Sequence, residues 1–562
     1  MNQQEHFRSQ APPPLQPRPI LIPTPRETTL ANGLKLVVVE DKRLPLVSYR
    51  LAFRVGGAFD PPELPGLTDL LAGLLPEGTQ SKSSKEIADE VARIGASLSA
   101  GATSDYTIVA ASALAQFNDR IMELLAEVIL EPSFPENEVA LAKQNTKESL
   151  RQQRAQPSFL ASEMVSRVIY GDHPYSVVAP TPESIDRSSR DEFVRFHRAM
   201  LVPNNAVFIV VGDIRYDDIL NRVESLFSTW QRGEDVVANF PAPPVRTKRT
   251  AYLIDRPGSA QSNIVIANTG IIRTSPDYFP MLLMHTVLGA NASSRLFMNL
   301  REEKGYTYGA YSNLDSRRTA GSFRAMAEVR TPVTGDSLKE FFYELERIRS
   351  EPVSQKEISD AKSYLTGVFP IRLETQEGLT DQLVQIKMMN LPDDYLENYR
   401  ENVQAVSGEE ILRVAKKYVK PDEAALIVVG DGSFVLEQMK PYAGDIEVYN
   451  TAGKRKSAEA SATDPVGSWS IEVETPLGQS IPAKLTISRT DAGYSGVMHS
   501  EMGDAELGAI EINNNSFHST ISLEMDGHAV KAEISGRFDG NHAEGVLKLE
   551  NAPELPFTGN KE

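Results

Sequence analysis

Residues 203–213 read PNNAVFIVVGD, and residues 421–431 read PDEAALIVVGD. The likeness extends backwards, because DEFVRFHRAMLV (191–202) and EEILRVAKKYVK (409–420) share one polar and apolar pattern. Each copy therefore predicts an amphipathic helix ended by a proline, then an apolar strand and a Gly-Asp turn. Chance does not readily repeat a helix, a proline and a strand in one register. The sequence thus indicates an internal repeat.

The repeat organises most of the chain. Each copy is an α/β unit of ordinary domain size, so we predict an α+β fold with two tandem homologous units and an additional β-domain. The predicted segments are a Pro-rich tail (1–26), the first repeat (27–239), a Pro-rich linker (240–249), the second repeat (250–450), a linker of small and charged residues (451–466) and a C-terminal antiparallel β-domain (467–562).

The first repeat carries clear start and stop signals for helices and strands. Ser83 and Glu86 have the spacing of a capping box and predict a helix start. The predicted strands are 33–41, 46–57 and 107–114, and the predicted helices are 66–75, 87–98, 117–130 and 136–154.

The pattern beyond residue 467 changes to a period of two, as in SWSIEVET and AKLTISRT. Met525-Asp526-Gly527-His528 and Phe538-Asp539-Gly540-Asn541 are typical of tight hairpin turns. We expect a small lipocalin-like barrel or a sandwich. Its aromatic residues could line a binding pocket or pack in the core, and we favour the core; they are Trp469, Phe517, Phe538 and Phe557.

Composition excludes several classes of function. The formal net charge is −18, which argues against nucleic acid and anionic membrane surfaces as partners. The chain has no cysteine, so disulfides, thiol nucleophiles and cysteine-zinc sites are excluded. No apolar run has the length of a membrane span, and the N-terminal residues lack the apolar stretch of a signal peptide. The expected compartment stays open: the cytoplasm, or the periplasm if a signal peptide is missing from this chain.

One segment points to a known family. Residues 300–308 read LREEKGYTY, within SSRLFMNLREEKGYTYGAYS. This segment resembles the second half of the pitrilysin/insulinase-type zinc metallopeptidases, and the resemblance covers about residues 27–450. It implies that Arg301 and Tyr308 are catalytic in trans, binding the scissile carbonyl oxygen as it becomes an oxyanion. A surface arginine and a packed tyrosine are the alternative for this spacing alone.

The same family carries H-x-x-E-H in its first half, where two histidines bind zinc and the glutamate activates water. The matching stretch here is GLTDLLAGLLPEGT (66–79). Asp69 and Gly73 stand at the two histidine positions, and Ala72 stands at the glutamate position. The third ligand position is occupied by Ser149, and the neighbouring Glu148 would point about 100° away around the helix. We therefore expect a degenerate zinc motif and no metal or other cofactor bound by this chain.

The histidines suggest no replacement site. The eight are His6, His173, His197, His285, His499, His518, His528 and His542. No two lie at i, i+2 or i, i+4 spacing. His285 sits in an apolar helix and is interpreted as a core residue, His173 as structural, and the last four as surface residues of strands. A GxSxG nucleophile elbow is absent as well.

The resemblance implies a zinc-less subunit of a two-chain peptidase. In such enzymes an H-x-x-E-H-bearing homologous subunit supplies zinc and the general base, and both subunits enclose an unfolded peptide as two halves of a clamshell. The expected assembly is a heterodimer or a dimer of heterodimers. Two alternatives remain: a structural scaffold, and a peptide-binding chamber without peptidase activity. A free-standing hydrolase finds no supporting group of residues.

Overall fold

A computed structural model describes residues 22–456, 464–475, 480–490, 493–500, 503–513, 515–525, 528–549 and 554–562. The chain divides into two compact units, with the division between Gly453 and Lys454. Parts of the predicted tail and of the second linker, His6, and the turn residues 526–527 lie outside the described residues. No helix in the described ranges is long and apolar enough to cross a membrane.

The first unit contains two six-stranded sheets. The strands of the first sheet are β1 (Arg26–Thr29), β2 (Lys35–Glu40), β3 (Leu46–Phe53), β4 (Ser97–Ala102), β5 (Thr107–Leu114) and β6 (Ala206–Gly212). Those of the second are β7 (Thr250–Asp255), β8 (Gln261–Thr269), β9 (Thr307–Ser316), β10 (Gly321–Arg330), β11 (Ala425–Gly430) and β12 (Ile446–Tyr449).

Strand order confirms the internal repeat. The first sheet runs β1-β2-β6-β3-β5-β4 and the second runs β12-β7-β11-β8-β10-β9. The two Val-Val-Gly strands, β6 and β11, are buried along their whole length and occupy the same position in their sheets. Only the first strand of each order differs, since β1 is antiparallel and β12 is parallel to its neighbour. The edge strands β4 and β9 are therefore topological equivalents.

Sixteen helices flank these sheets in the described part of the first unit. The first half contributes α1 (Leu67–Leu74), α2 (Ser84–Arg93), α3 (Asn118–Leu130), α4 (Glu136–Arg154), α5 (Pro157–Tyr170), α6 (Pro182–Arg187), α7 (Arg190–Met200) and α8 (Tyr216–Phe227). The second half contributes α9 (Tyr278–Gly289), α10 (Arg295–Phe297), α11 (Thr334–Ser350), α12 (Gln355–Arg372), α13 (Gln376–Met388), α14 (Tyr395–Ala405), α15 (Gly408–Tyr418) and α16 (Gly432–Met439).

The helix predicted over 87–98 is shorter in the structure. The capping box of Ser83 and Glu86 is present, but α2 ends at Arg93. Gly95 has a φ of 61°, a left-handed conformation that ends helices and suits glycine. Ser97 then begins β4, which the apolar periodicity missed. This correction matters because β4 borders the candidate site.

The two halves exchange helices. Helix α5 packs on β8 and β11 of the second sheet, and α13 packs on β3 and β6 of the first. One core cluster accordingly joins Val37 and Ile209 of the first sheet with Leu383 of α13. Each repeat thus buries a face of its sheet under a helix from the other, so neither half completes its core alone.

The C-terminal unit is a closed antiparallel barrel, which is one of the two forms expected for it. Its strands are β13 (Gly467–Glu474), β14 (Ser480–Thr490), β15 (Gly493–Ser500), β16 (Gly503–Asn513), β17 (Ser516–Met525), β18 (His528–Asp539), β19 (His542–Leu549) and β20 (Leu555–Lys561). Gly540 and Asn541 join Asp539 to His542, so the expected hairpin is present, with its two-residue loop one position later than Phe538-Asp539-Gly540-Asn541 indicated.

The barrel interior is an aromatic core. Trp469, Phe517, Phe538 and Phe557 are each at most 2% exposed. The ring centroid of Phe538 lies 4.6 Å from that of Trp469 and 4.7 Å from that of Phe517. These rings pack against one another, which is the favoured of the two uses expected for them.

Candidate functional site

The stretch 66–79, where the sequence predicts a degenerate zinc motif, borders a cavity of about 370 Å³ between α1, β4 and α4. Asp69 and Gly73 of α1 form one wall, with Ala100 and Gly101 of the edge strand β4 beside them and Asn145 of α4 opposite. Gly73 has nothing within 4 Å of where a side chain would begin. The absence of a side chain at Gly73 therefore leaves open space at this position.

The remaining motif positions do not line the cavity. Ala72, on α1, is fully buried. Ser149 is exposed on α4 and accepts a hydrogen bond from the Gln153 side chain. Glu148 is exposed too and pairs with Arg151 at 3.3 Å. Position 149 follows Asn145 by one helical turn, so on this side of α4 the lining residue nearest to position 149 is an amide, Asn145.

Three carboxylates surround the cavity: Asp69, Glu77 and Glu138. No lysine, arginine or histidine is among its lining residues. Burial raises the pKa of Asp69, although the backbone N–H of Ala102 opposes that shift. Glu77 accepts a hydrogen bond from Ser84 Oγ at 2.5 Å. Glu77 and Glu138 were missed from the sequence because only packing brings α1 and α4 together.

The zinc expected of the family does not fit these residues. Ala72 and Gly73 have no ligand atom, and the Ser149 hydroxyl is engaged on the helix surface. Structural and catalytic zinc sites need three or four nitrogen, sulfur or carboxylate ligands. Within the described residues, no group of three or more His, Asp or Glu side chains could hold a metal ion.

Arg301 lies on an irregular helical turn. Residues Met298–Glu303 form a π-helix, a conformation that is frequent at functional sites. The buried Asn299 anchors this turn, because its side-chain amide donates to Glu340 at 3.1 Å and to Glu344 at 2.9 Å. The Arg301 side chain is 44% exposed and pairs with Glu302.

The apolar face of this turn supports the arginine. The guanidinium carbon of Arg301 lies 4.9 Å from the ring centroid of Phe297. Gly305, with a φ of 64°, then ends the helical turn, and the backbone N–H of Tyr306 donates to the Leu300 carbonyl at 2.9 Å. This left-handed position explains the glycine between Arg301 and Tyr308. The chain therefore turns directly from the π-helix into β9.

Tyr308 is the most exposed large aromatic residue in the described ranges, at 89%. It lies on β9, where Tyr308 and Gly309 both stand opposite Glu328 of β10. Two residues facing one form a β-bulge, a feature that is over-represented next to active sites. The bulge explains how a tyrosine within a strand comes to be so exposed.

The cavity borders β4, whereas Tyr308 lies on β9 and Arg301 on the helical turn before it, so the two features lie beside equivalent edge strands of different sheets. Neither Arg301 nor Tyr308 is among the cavity-lining residues. The two hairpins that carry these features contact each other at their turns, where the Arg318 backbone N–H donates to Asp105 Oδ2 at 3.2 Å. The sequence predictions thus fall on two separate places of this chain.

The histidines have structural partners. His285 Nδ1 lies 2.7 Å from Ser312 Oγ, and burial lowers the pKa of His285 to about 4. His173 is 1% exposed and links the Tyr175 backbone N–H to Thr319 Oγ1. Both positions agree with the core and structural roles expected for them. The side chain of His528 lies outside the described part of the structure.

Comparisons with known proteins converge on one family. Residues 36–181 match the insulinase family (peptidase family M16), and residues 187–365 match the peptidase M16 inactive domain. The "uncharacterized zinc protease YmxG" of Bacillus subtilis is 21% identical over 406 residues, which cover 72% of this chain and 98% of that protein. An uncharacterized zinc protease of Streptomyces coelicolor is 23% identical over 70% of this chain and 87% of its own length.

Solved structures agree with the fold of the first unit. The peptidase M16 inactive domain from Pseudomonas fluorescens is 27% identical, with a TM-score of 0.68, covering 72% of this chain and 98% of that one. A protease from Helicobacter pylori is 20% identical, with a TM-score of 0.68, covering 73% of this chain and all of its own. The second comparison supports the fold alone.

Proposed function

Because this chain belongs to the insulinase family of peptidases, peptidase family M16, we propose that it is the zinc-less subunit of a two-chain peptidase. In this proposal the partner is a homologous subunit with an intact H-x-x-E-H motif and bound zinc, and this chain binds no metal. Arg301 and Tyr308 complete the active site of that partner. The substrates are unfolded peptides.

One contrast supports the proposal. The positions for metal ligands and general base hold Asp69, Ala72, Gly73 and Ser149, whereas the oxyanion-binding pair is present and accessible. Tyr308 is 89% exposed and the Arg301 side chain 44% exposed. Exposed aromatic side chains often mark binding surfaces, and irregular backbone is frequent at functional sites. A scaffold that takes no part in catalysis would need neither feature at Arg301 and Tyr308.

The chemistry assigned to this chain is electrostatic. Zinc in the partner would polarise the scissile carbonyl and lower the pKa of the attacking water. The Arg301 guanidinium and the Tyr308 hydroxyl donate hydrogen bonds to the carbonyl oxygen as negative charge develops there. The Phe297 ring stacks against the guanidinium and helps to hold it in place. Before it binds substrate, Arg301 has to exchange its exposed partner Glu302 for the carbonyl oxygen.

An extended substrate is compatible with the open edges of the sheets. The strands β4 and β9 are each at the end of their sheet. A peptide added to such an edge is held mainly through its backbone, so many sequences are accepted. The β4 edge also borders the cavity through Ala100 and Gly101. Substrate side chains at that edge would meet an acidic wall.

The test is hydrolysis of a quenched fluorescent peptide. It compares this chain alone, a candidate H-x-x-E-H homologue alone, and the two mixed. We expect hydrolysis only in the mixture. Arg301→Ala and Tyr308→Phe should each lower the rate by ~10²–10³, the usual effect of losing one oxyanion donor. Arg93→Ala on the exposed end of α2 and Tyr343→Phe on α11 are matched controls that should leave the rate unchanged.

The other functions are outcomes of the same experiment. A stable complex without any gain in hydrolysis would overturn the proposal and favour a scaffold. Fluorescence anisotropy of a labelled unfolded peptide tests the second alternative. Peptide affinity that neither needs Arg301 nor leads to turnover with any homologue would favour a peptide-binding chamber.

A further inference from the structure

Tyr308 is exposed because of the backbone irregularity in β9. From Ala310 onwards β9 alternates regularly, and Ala310 and Ser312 face inwards opposite Ala327 and Ala325 of β10. Continued alternation would place Tyr308 on that same inward face. The bulge instead places Thr307 opposite the buried Val329, and it places Tyr308 opposite the exposed Glu328. One extra residue thus turns the tyrosine from the core side to the outer side.

The Thr307 side chain closes this bulge. Its hydroxyl donates to the Glu328 carbonyl oxygen at 2.5 Å and accepts from the Gly309 backbone N–H at 3.1 Å. Both groups belong to the part of the ladder that the extra residue interrupts. These two bonds give partners to backbone groups that the interrupted ladder would otherwise leave without one, so they favour the bulged register over a regular one.

We propose that Thr307 is a positioning residue, which holds Tyr308 on the outer face of β9 by fixing the bulge opposite Glu328. The role in catalysis rests on the proposed function above, because Tyr308 is the group that would touch substrate. The conformational part does not rest on it. Thr307 therefore has a measurable effect on Tyr308 in this chain alone.

The surrounding residues fit such a role. Gly309 allows the bulge to close tightly: a side chain there would begin 2.5 Å from the Tyr311 ring, which lies across this position. The backbone N–H of Arg330 donates to the Tyr306 carbonyl at 3.4 Å, which pairs β10 with the residue before β9. Backbone pairing therefore flanks the bulge on both sides, and the Thr307 hydroxyl adds a side-chain hydrogen bond that stabilises it.

The first test measures the reactivity of Tyr308 in the full chain. Tetranitromethane nitrates exposed tyrosines, and tandem mass spectrometry distinguishes Tyr308 from Tyr306 and Tyr311 within one peptide. We expect Thr307→Val to lower the nitration rate of Tyr308 at least about fivefold, because the ring turns inwards when the register becomes regular. Thr307→Ser keeps the hydroxyl and should restore the native rate. Tyr343, 54% exposed on α11, is the internal reference.

The second test uses the mixture with the zinc-bearing homologue. Thr307→Val should lower kcat with little change in KM, since Tyr308 acts on charge that develops in the transition state. Thr307→Ser should again restore the rate. A structural defect alone would alter the amount of folded protein, not this division between kcat and KM. Circular dichroism checks folding, and Thr307→Ala serves if Thr307→Val does not fold.

The outcomes separate the two proposals. Loss of Tyr308 reactivity in Thr307→Val with no hydrolysis in any mixture would overturn the proposed function and retain the positioning role. Native reactivity of Tyr308 in both Thr307→Val and Thr307→Ala would overturn the positioning role, whatever the mixtures do.

Discussion

The guanidinium Nε of Arg50, in β3, lies 2.9 Å from Oδ1 of Asp381, in α13. Arg50 is 6% exposed and also donates to Ser48 Oγ, to the Tyr49 carbonyl and to Glu377. It thereby fastens the first sheet to a helix that comes from the second repeat. The contacts between the first sheet and the helix from the other half are thus polar as well as apolar.

Replacement of Arg50 should weaken the whole first unit. We expect Arg50→Met to lower the free energy of unfolding by about 1–3 kcal/mol, the usual range for lost hydrogen bonds of a charged group. Half-exposed Asp381 and Glu377 can turn to water, which limits the loss. Lys356→Met breaks an exposed pair with Asp360 and should cost almost nothing. Urea unfolding followed by circular dichroism decides between the two; equal losses would refute a special role for Arg50.

The ion pair of Arg295 and Glu357 predicts a pH dependence of stability. Burial by itself would raise the pKa of Glu357, but bonds from Arg295 and Ser354 lower it from 4.5 to about 2. Glu357 binds a proton less readily in the folded chain, so its contribution is complete above about pH 4.5 and is lost as the pH falls towards 2. Its size is at most about 3 kcal/mol.

The variant Glu357→Gln isolates this contribution. It should be destabilised at pH 6 and differ less from the native chain at pH 3, because the Glu357 carboxyl of the unfolded chain is then largely protonated and part of the stabilisation is lost. Chemical unfolding at several pH values measures the difference. A difference that does not change with pH would contradict the lowered pKa of Glu357.

Two helical glycines should respond in opposite ways to alanine. Gly73 is inside α1, and a side chain there meets nothing within 4 Å. Gly73→Ala should stabilise the chain by about 0.5–1 kcal/mol through helix propensity. A side chain at Gly289 would begin 2.3 Å from the backbone nitrogen of Ser312, so Gly289→Ala should destabilise it. Melting temperatures give both signs, and a loss at Gly73 would show that the cavity wall is tighter than described.

Ligand side chains should bind zinc when they are placed at the three positions where the family resemblance implies zinc ligands. Asp69→His, Gly73→His and Ser149→Glu together restore the family's three ligand positions, and the cavity beside Gly73 leaves room for a new side chain. We expect the triple variant to bind zinc, measured by elemental analysis after gel filtration, and the native chain to bind none. Asp69→His alone is the control and should not retain zinc. Zinc retained by the native chain would refute the expectation of a metal-free subunit.

The barrel core should depend on Phe538. Its ring is fully buried between Trp469 and Phe517, and Phe538→Ala should cost ~3–5 kcal/mol as a large-to-small core change. Phe434→Ala, at a side chain 63% exposed on α16, is the matched control. In a Trp230→Phe background Trp469 is the remaining tryptophan, so its fluorescence reports barrel unfolding. An unchanged transition would contradict the described core.

The sequence by itself determined the repeat and most of the element types, and it predicted Asp69, Gly73, Arg301 and Tyr308 as residues of interest. A buried Val-Val-Gly strand after a proline, a capping box at Ser83 and an alternating barrel strand are local patterns, and local physics is enough to recognise them. It was also enough to show which chemistry Asp69, Ala72 and Gly73 lack, since side-chain composition needs no coordinates.

Only the tertiary structure decided how these parts are used. The helix exchange joins residues such as Arg50 and Asp381 that are far apart along the chain, so no periodicity records it. Glu77 and Glu138 meet at one cavity because α1 packs on α4. Tyr308 is outside rather than inside because a single extra residue in β9 is accommodated opposite Glu328. Alternation predicts the face of a strand only while the register is regular, and a neighbouring strand sets the register.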